Sequence, residues 1–177
     1  MLTIETDQLR LTSLSQKDWA FFSALHNNPE VMKCVSDPLT NDEVATRFTN
    51  RIKPWQKQES GWLSLLISEK TSNRPVGITG AYTDWNPFQQ AEIGFLLAPE
   101  FHGRGYAKAS AIAVINFLLK ECQFHKINAT VTAGNRASYQ LLLKLGFQHE
   151  GTLRQAYKIN GNWFDDWKLG LLAKELP

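Results

Sequence analysis

The stretch that decides the fold is Glu92-Ile-Gly-Phe-Leu-Leu-Ala-Pro-Glu-Phe-His-Gly-Arg-Gly-Tyr-Ala-Lys108. Its first half is apolar enough for a buried strand, and its second half places Gly103 and Gly105 before a long apolar segment with helical spacing. The first turn of a helix carries free backbone N–H groups and the positive end of the helix dipole, and glycines let an anion approach them. The sequence therefore predicts a phosphate-binding turn, with Arg104 and Lys108 at its rim.

Three interpretations of this turn compete. A dinucleotide-binding fingerprint needs a third small residue where Lys108 stands, and it needs a parallel sheet, whereas the strands here look antiparallel. A P-loop needs Gly-Lys followed by Ser or Thr, which the turn lacks. A purely structural turn is the third interpretation, because two glycines in a turn are common.

The rest of the chain indicates a mixture of strands and helices in one domain over residues 1–177. Capping-box spacing predicts two early helices, and Asn28-Pro29 predicts a turn. Apolar alternation predicts the strands. The helices expected are 16–26, 41–51, a long segment that ends at Leu119, and 137–145; the strands expected are 8–14, 62–68, 75–82, 91–98, 126–132, 147–157 and 163–172. This order is α+β, with a central antiparallel sheet and one strand–helix–strand crossover.

The composition excludes several classes of function. The chain has 177 residues, of which 43% are hydrophobic, and its net charge of +2 is too small for a nucleic-acid partner, which requires a strong basic field. Cys34 and Cys122 cannot form a disulfide framework and indicate a reducing compartment. The four histidines lack metal-ligand spacing, so no metal is expected. No signal peptide pattern and no run of about 20 apolar residues is present, so we expect a cytoplasmic protein without a membrane partner.

Later motifs agree with the turn in order and spacing. They are Asn135-Arg-Ala-Ser138, Gly146-Phe147 and Glu150-Gly-Thr-Leu-Arg154. The series resembles the GNAT superfamily of acyl-CoA-dependent N-acetyltransferases, and in particular the RimJ/RimL-like branch, which acetylates the N-termini of ribosomal proteins. The resemblance extends from the Leu9-Arg-Leu strand to Asp166. It implies the GNAT fold, a mixed, mostly antiparallel, splayed sheet of about seven strands with helices on both faces.

The resemblance also implies that acetyl-CoA is the cosubstrate and lies in a V between two neighbouring strands. The pantetheine arm would pair with the strand before the turn, the pyrophosphate would meet the amides of the turn, and Asn135 would lie beside the cofactor. The cofactor-binding residues expected are Phe95, Leu96, Leu97, Gly103, Arg104, Gly105, Tyr106, Ala107, Lys108, Asn135, Ser138 and Tyr139. His102 departs from the family's pattern, because the family's glycine turn usually begins with Gln or Arg. This departure matters little, since the phosphate contacts are mainly made by the backbone.

Acetyl transfer from a thioester to an amine needs a base for the amine, a donor for the oxyanion and a proton for the thiolate. Glu92 is the expected base, through water, because the resemblance puts a carboxylate here near the acceptor; a solvent-facing strand carboxylate is the alternative. Ser138 is expected beside the leaving sulfur, because Leu142 stands where many GNAT enzymes have a Tyr acid. Ser138 could instead cap the next helix. Tyr139 is a weaker candidate, and a backbone N–H near Leu97 would meet the oxyanion.

The acceptor groove is expected along the two closing strands and the loops near them. The substrate-binding residues expected are Trp85, Tyr157, Trp163 and Asp165, with Asp166 and Trp55 as further candidates. Trp19 and Trp62 fall on candidate core faces.

The sequence thus predicts an acetyl-CoA-dependent N-acetyltransferase that transfers acetyl directly to an amine, with the N-terminal α-amine of a ribosomal protein as the leading acceptor. One alternative acceptor is a small amine such as an aminoglycoside, a polyamine or an amino-acid-like compound. Because Leu142 replaces the usual Tyr, a non-catalytic acyl-CoA-binding module is a further alternative. The oligomeric state stays open, a homodimer included.

Overall fold

The fold is built on one eight-stranded sheet, which the computed structural model describes within residues 2–176. The strands are β1 (Thr3–Glu5), β2 (Leu9–Ser13), β3 (Gly61–Glu69), β4 (Pro75–Asp84), β5 (Gln90–Leu97), β6 (Lys126–Thr132), β7 (Gln148–Ile159) and β8 (Asn162–Leu172). The α-helices are α1 (Trp19–His26), α2 (Pro29–Met32), α3 (Asn41–Arg51), α4 (Tyr106–Asn116) and α5 (Arg136–Lys144).

The strands lie in the order β1-β2-β3-β4-β5-β6-β8-β7. Within the described residues, neighbouring strands are antiparallel except for β5 and β6, which are parallel. The crossover between these two strands is α4, as parallel strands require a long connection. The sheet therefore consists of two antiparallel halves joined at one parallel pair.

That parallel pair is short, and the sheet splays beyond it. β5 and β6 are in register over three pairs, Gln90↔Lys126, Ala91↔Ile127 and Glu92↔Asn128. Beyond them β5 stays paired with β4 as far as Leu97, and β6 stays paired with β8 as far as Thr132. A V-shaped cleft consequently opens toward the C-terminal ends of β5 and β6.

Helices cover both faces of the sheet. α3 lies on the face that carries Trp62, since the Arg51 guanidinium carbon is 3.3 Å from the centre of the Trp62 ring. α4 lies on the opposite face, where the Tyr106 hydroxyl donates to Glu69 at 2.6 Å. Trp62 and Glu69 are seven residues apart in β3, so their side chains point to opposite faces. The predicted splayed sheet with helices on both faces is confirmed.

Local signals fix several boundaries as the sequence predicts. α3 has the predicted bounds, and its capping box is complete: the Thr40 N–H donates to Glu43 at 2.7 Å and the Glu43 N–H donates to the Thr40 hydroxyl at 3.3 Å. β6 also has its predicted bounds. The long helix after the turn is α-helical only to Asn116 and continues as one π-helical turn, Phe117–Glu121.

Two features of the first part of the chain differ in detail from what the sequence predicts. The sheet has eight strands where about seven were expected, because the three residues of β1 pair with β2 and are too few to show alternation. Asn28-Pro29 starts α2 rather than a turn, because the Asn28 side chain accepts from the Glu30 N–H at 2.9 Å and Pro29 occupies the first helical position.

Gly80 and Gly94 face each other across β4 and β5 and provide a matched test of the sheet. A Cβ at Gly80, where φ is +151°, would overlap the Leu63 carbonyl, whereas a Cβ at Gly94 would meet open space. We expect Gly80→Ala to lower the free energy of unfolding by about 3 kcal/mol or more, and Gly94→Ala to change it by less than about 1 kcal/mol. Urea unfolding followed by circular dichroism measures both, and equal losses would contradict this packing.

Candidate active site

A cavity of about 810 Å³ occupies the cleft and extends under α1 and α3. It is lined by residues from β3 to β6, from α5 and from the closing strands. The residues predicted for the site that line it are Glu92, Phe95, Leu96, Asn135, Ser138, Tyr157 and Asp166. Side chains far apart in the sequence thus meet in one cavity.

Glu92 lies at the apex of the V, on the last residue pair that joins β5 to β6. Beside it, the Asn128 side-chain amide donates to the Gln90 side-chain oxygen at 2.8 Å and links the two strands. Past Glu92, the edge of β5 that faces β6 has no strand partner among the described residues, and Phe95 and Leu96 line the cavity. The Leu97 side chain is buried, and a ring nitrogen of His102 lies 3.3 Å from the Leu97 carbonyl oxygen.

Ser138 lies across the cleft in the first turn of α5. The cap of this helix is Asn135, whose side-chain oxygen accepts from the Ser138 N–H at 3.2 Å. Ser138 is therefore not the capping residue, and its hydroxyl is not used for that purpose. Leu142, one turn further along, is buried and also lines the cavity.

The glycine turn follows β5 at the open end of the cleft. Gly103 and Gly105 have φ values of +77° and +80°, and neither has a neighbour where a Cβ would stand. Gly105 precedes α4, whose first N–H groups have no side-chain cap. Arg104 lies 3.7 Å from Glu69, Lys108 is exposed, and Ala107 packs against the core. This geometry fits a phosphate held by backbone N–H groups.

Two carboxylates, Glu92 of β5 and Asp166 of β8, line the cavity. Burial raises the pKa of Asp166; Lys168 opposes this shift, whereas the negative charge of Glu92 adds to it. Asp166 is paired with Thr132 across β6 and β8, at the open end of the cleft. This part of the cavity is suited to a group that carries or releases a proton.

The cavity is also lined by residues that the sequence analysis did not assign to the site. They are His26, Arg47, Arg51, Trp62 and Tyr82. Burial lowers the pKa of Arg51 to about 10 and that of His26 to about 4, so the histidine is neutral near pH 7. The signal that could have found the arginines is their spacing, four residues apart on a helix with Val44 and Phe48 buried.

Several predicted residues lie outside this cavity. The Trp55 indole donates to Thr83 at 2.8 Å, and Trp85 packs edge-on against Phe124 at 5.2 Å. Both tryptophans are half-buried against the core, and sequence alternation could not show which side of the sheet they cover. In the described part of the chain the tryptophan that lines the cavity is Trp62, which the sequence analysis had assigned to the core.

The closing strands likewise supply some of the predicted residues and not others. Trp163 lies near the tip of the β7–β8 hairpin and is 58% exposed. Asp165 accepts from the Gln155 N–H at 2.8 Å and borders a separate groove. The Tyr139 ring packs on Trp167 at 4.6 Å, outside the cavity. Tyr157 and Asp166 are the closing-strand candidates that line the cavity.

The comparisons with known proteins agree with the splayed cleft. The model of the acetyltransferase (GNAT) domain matches residues 8–148. The chain belongs to the GNAT acetyltransferase family. As a member of this family it is an acyltransferase that transfers acetyl to an amine. It is 30% identical to the uncharacterized N-acetyltransferase YoaA of Bacillus subtilis strain 168, over 92% of both chains.

Solved structures share this GNAT fold at lower identity. One is the spermidine N-acetyltransferase of Vibrio cholerae in complex with CoA and spermine, with a TM-score of 0.85 and 22% identity, covering 96% of this chain and 98% of that one. Another is the ribosomal-protein-S5-alanine acetyltransferase of Vibrio fischeri, with a TM-score of 0.81 and 16% identity over the full length of both. These neighbours have different acceptors and do not distinguish between them for this chain.

Two kinds of feature are absent from residues 2–176. No helix there is long and apolar enough to span a membrane. No group of three His, Cys, Asp or Glu side chains there is arranged to hold a metal ion.

The glycine turn can be tested with a control of equal backbone strain. Gly105 and Gly161 have φ values of +80° and +77°, and a Cβ at either meets open space. We expect Gly105→Ala and Gly161→Ala to lower stability alike, by about 1 kcal/mol. Only Gly105→Ala should also weaken CoA binding, by about 10-fold, because the added methyl group obstructs the amides that receive the phosphates. Isothermal titration with CoA measures this, and unchanged affinity in Gly105→Ala would remove the turn from the site.

Proposed function

We propose that this acetyltransferase acts on the α-amine of a protein N-terminus, with a ribosomal protein as the expected acceptor and acetyl-CoA as the donor. The observation that carries the proposal is the open access to the cavity. Glu92 is exposed, and Tyr82 and Tyr157, which also line the cavity, are 41% and 37% exposed. A peptide chain needs such an open groove, because only its first residues enter the site.

The residues of the cleft fit acetyl-CoA. The free edge of β5 at 93–97 would hold the pantetheine arm through backbone hydrogen bonds, and the N–H groups of Gly103 to Lys108 would hold the pyrophosphate. Asn135 and Ser138 would lie on the β6 side of the same arm. When bound there, acetyl-CoA supplies an activated acyl group with a good leaving thiolate.

Glu92 is the group we propose to take the proton from the acceptor amine, through water. An α-amine has a pKa of about 8, so a large fraction is protonated near neutral pH and must lose a proton before it can attack. Glu92 is at the apex of the cleft and is exposed, so a water molecule can lie between its carboxylate and the amine. A lysine amine, with a pKa near 10.4, would require a stronger base.

Ser138 is the group we propose to give a proton to the leaving sulfur. Its hydroxyl is free of the capping role, which Asn135 fills, and it lines the cavity. In the proposed reaction the amine nitrogen would attack the acetyl carbon to give a tetrahedral oxyanion, which would collapse as the carbon–sulfur bond breaks. The amine proton would pass through water to Glu92, and the thiolate would receive a proton from Ser138. Ser138 would then regain a proton from solvent as Glu92 releases one, so that both groups return to their starting states. A backbone N–H near Leu97 would stabilise the oxyanion.

A small amine is the second candidate acceptor, and the pair Glu92 and Asp166 favours it. Two carboxylates in one cavity would attract a cationic amine. The spermidine N-acetyltransferase of Vibrio cholerae shares the fold. We also propose a cytoplasmic location, because Cys34 and Cys122 are free thiols, which suits a reducing compartment.

The roles of Glu92 and Ser138 predict different pH profiles. Glu92→Gln should lower kcat/KM about 100-fold near pH 7 and progressively less above pH 8, where the free amine dominates. Ser138→Ala should lower the rate by about 10-fold or more at every pH, and Ser138→Thr should restore part of it. Steady-state thiol release, with Glu121→Gln as control, measures both profiles. A pH-independent loss in Glu92→Gln would remove its role as base, and an unchanged rate in Ser138→Ala would remove Ser138.

The acceptor class can be tested by direct competition. Peptides with the N-terminal sequences of ribosomal proteins should be acetylated on the α-amine, with higher kcat/KM than spermidine, aminoglycosides or free amino acids. Mass spectrometry of the product locates the acetyl group. Faster acetylation of any of the small amines would overturn the proposal of a protein N-terminus and leave the acetyltransferase itself intact.

A further inference from the structure

The wall of the cavity formed by α3 carries two arginines that have no acidic partner within residues 2–176. Arg47 and Arg51 are four residues apart on α3, so their side chains lie on one face of the helix, and both line the cavity. The ion pairs found among residues 2–176 involve other side chains. The guanidinium carbon of Arg51 lies over the Trp62 ring, 3.3 Å from its centre.

This arrangement is unfavourable unless an anion joins it. Like charges four residues apart on a helix repel each other, and burial of an unpaired charge adds a further cost. Burial is also the largest cause of the lowered pKa values of Arg51 and His26, and the positive charge of Arg47 lowers both further. Because His26 is neutral near pH 7, the arginines are the charges on this wall.

The distance from the arginines to the proposed amine position follows from strand register. Trp62 is paired with Tyr82, and Tyr82 with Glu92, so the three side chains form one row across β3, β4 and β5. Two strand spacings separate Trp62 from Glu92, which is about 10 Å. Arg51 stands at one end of this row and Glu92 at the other.

We infer that Arg47 and Arg51 bind an anionic group of the acceptor, at about 7–10 Å from the amine that reacts at Glu92. The inference rests on the proposed function and narrows its acceptor. Each residue of an extended peptide spans about 3.3–3.6 Å, so the carboxylate of an Asp or Glu at the second or third position reaches that distance. The acceptor is therefore a peptide with a free α-amine followed closely by an acidic side chain.

The positive charges of Arg47 and Arg51 exclude a polyamine as the preferred acceptor. A polyamine that placed one amine at Glu92 would bring its other cationic groups toward Arg47 and Arg51. The cavity is negative at Glu92 and Asp166 and positive at α3, which complements a molecule with an amine at one end and an anion at the other.

Matched peptides test the inference. Two hexapeptides are compared that differ only in Glu against Gln at position three, with kcat/KM measured by thiol release. The wild-type protein should prefer the Glu peptide by about 10-fold, as expected for one charge-assisted contact. Arg47→Gln and Arg51→Gln should each reduce this ratio toward one, and Arg51→Lys should retain most of it. Lys53→Gln, which removes a nearby exposed cation outside the cavity, should leave it unchanged.

A charge reversal makes the test independent of any loss of activity. Arg51→Glu should invert the preference, so that a Lys peptide is acetylated faster than the Glu peptide. A wild-type ratio near one, or a ratio that persists in both glutamine variants, would overturn the inference.

Two small-molecule probes distinguish a failure of this inference from a failure of the proposed function. 6-Aminohexanoate carries an anion at a suitable distance from its amine, and 6-aminohexanamide lacks the charge. If no peptide is acetylated but the acid is preferred over the amide in an Arg51-dependent manner, the protein acceptor is wrong and the anion site stands. If peptides are acetylated without regard to the acidic residue, the anion site is wrong and the protein acceptor stands. If neither the two peptides nor the two small molecules show a preference for the anionic member, in turnover or in competition binding, the anion site is wrong.

Discussion

The early end of the pairing between β5 and β6 is the constraint on which the rest of the site depends. Three residue pairs join these strands, and each strand then follows its outer neighbour. Backbone groups that a closed sheet would satisfy are thereby left facing a cleft, and burying them without a partner would be costly. The cleft opens toward the end of β5 that leads to the glycine turn and the end of β6 that leads to α5. One departure from regular pairing thus brings the turn, Glu92 and Ser138 to one place.

The second organising feature is the division of charge within the cavity. Glu92 and Asp166 line the cavity from β5 and β8, whereas Arg47 and Arg51 line it from α3. The chain's net charge of +2 conceals this separation, because the opposing charges cancel in the sum. We propose that the carboxylates select the amine and that the arginines select the group attached to it, so that reaction and specificity depend on different elements of the same fold.

The sequence predicts those parts of the structure that depend on local chemistry. The capping box of α3, the β6 strand, the glycine turn and the family's cleft follow from residues that are close together in the chain. Most of the parts that fail depend on contacts across the sheet; the exception is Asn28-Pro29, where a local cap starts α2. Alternation in β3 showed that Trp62 was on one face, but only the placement of α3 decides that this face lines the cavity. Trp85 was expected at the acceptor and instead packs against Phe124, which is 39 residues further along the chain.

Hydrogen exchange can show whether the edge of β5 beyond Glu92 receives the pantetheine arm of the donor, as we propose. Exchange of backbone amides is followed by mass spectrometry with and without saturating CoA. We expect CoA to slow exchange in residues 93–97 and 103–108, with little change in β1, β2 or the β7–β8 hairpin tip. If CoA binds but protection appears elsewhere and residues 93–97 exchange at the same rate, the cleft is not the donor site.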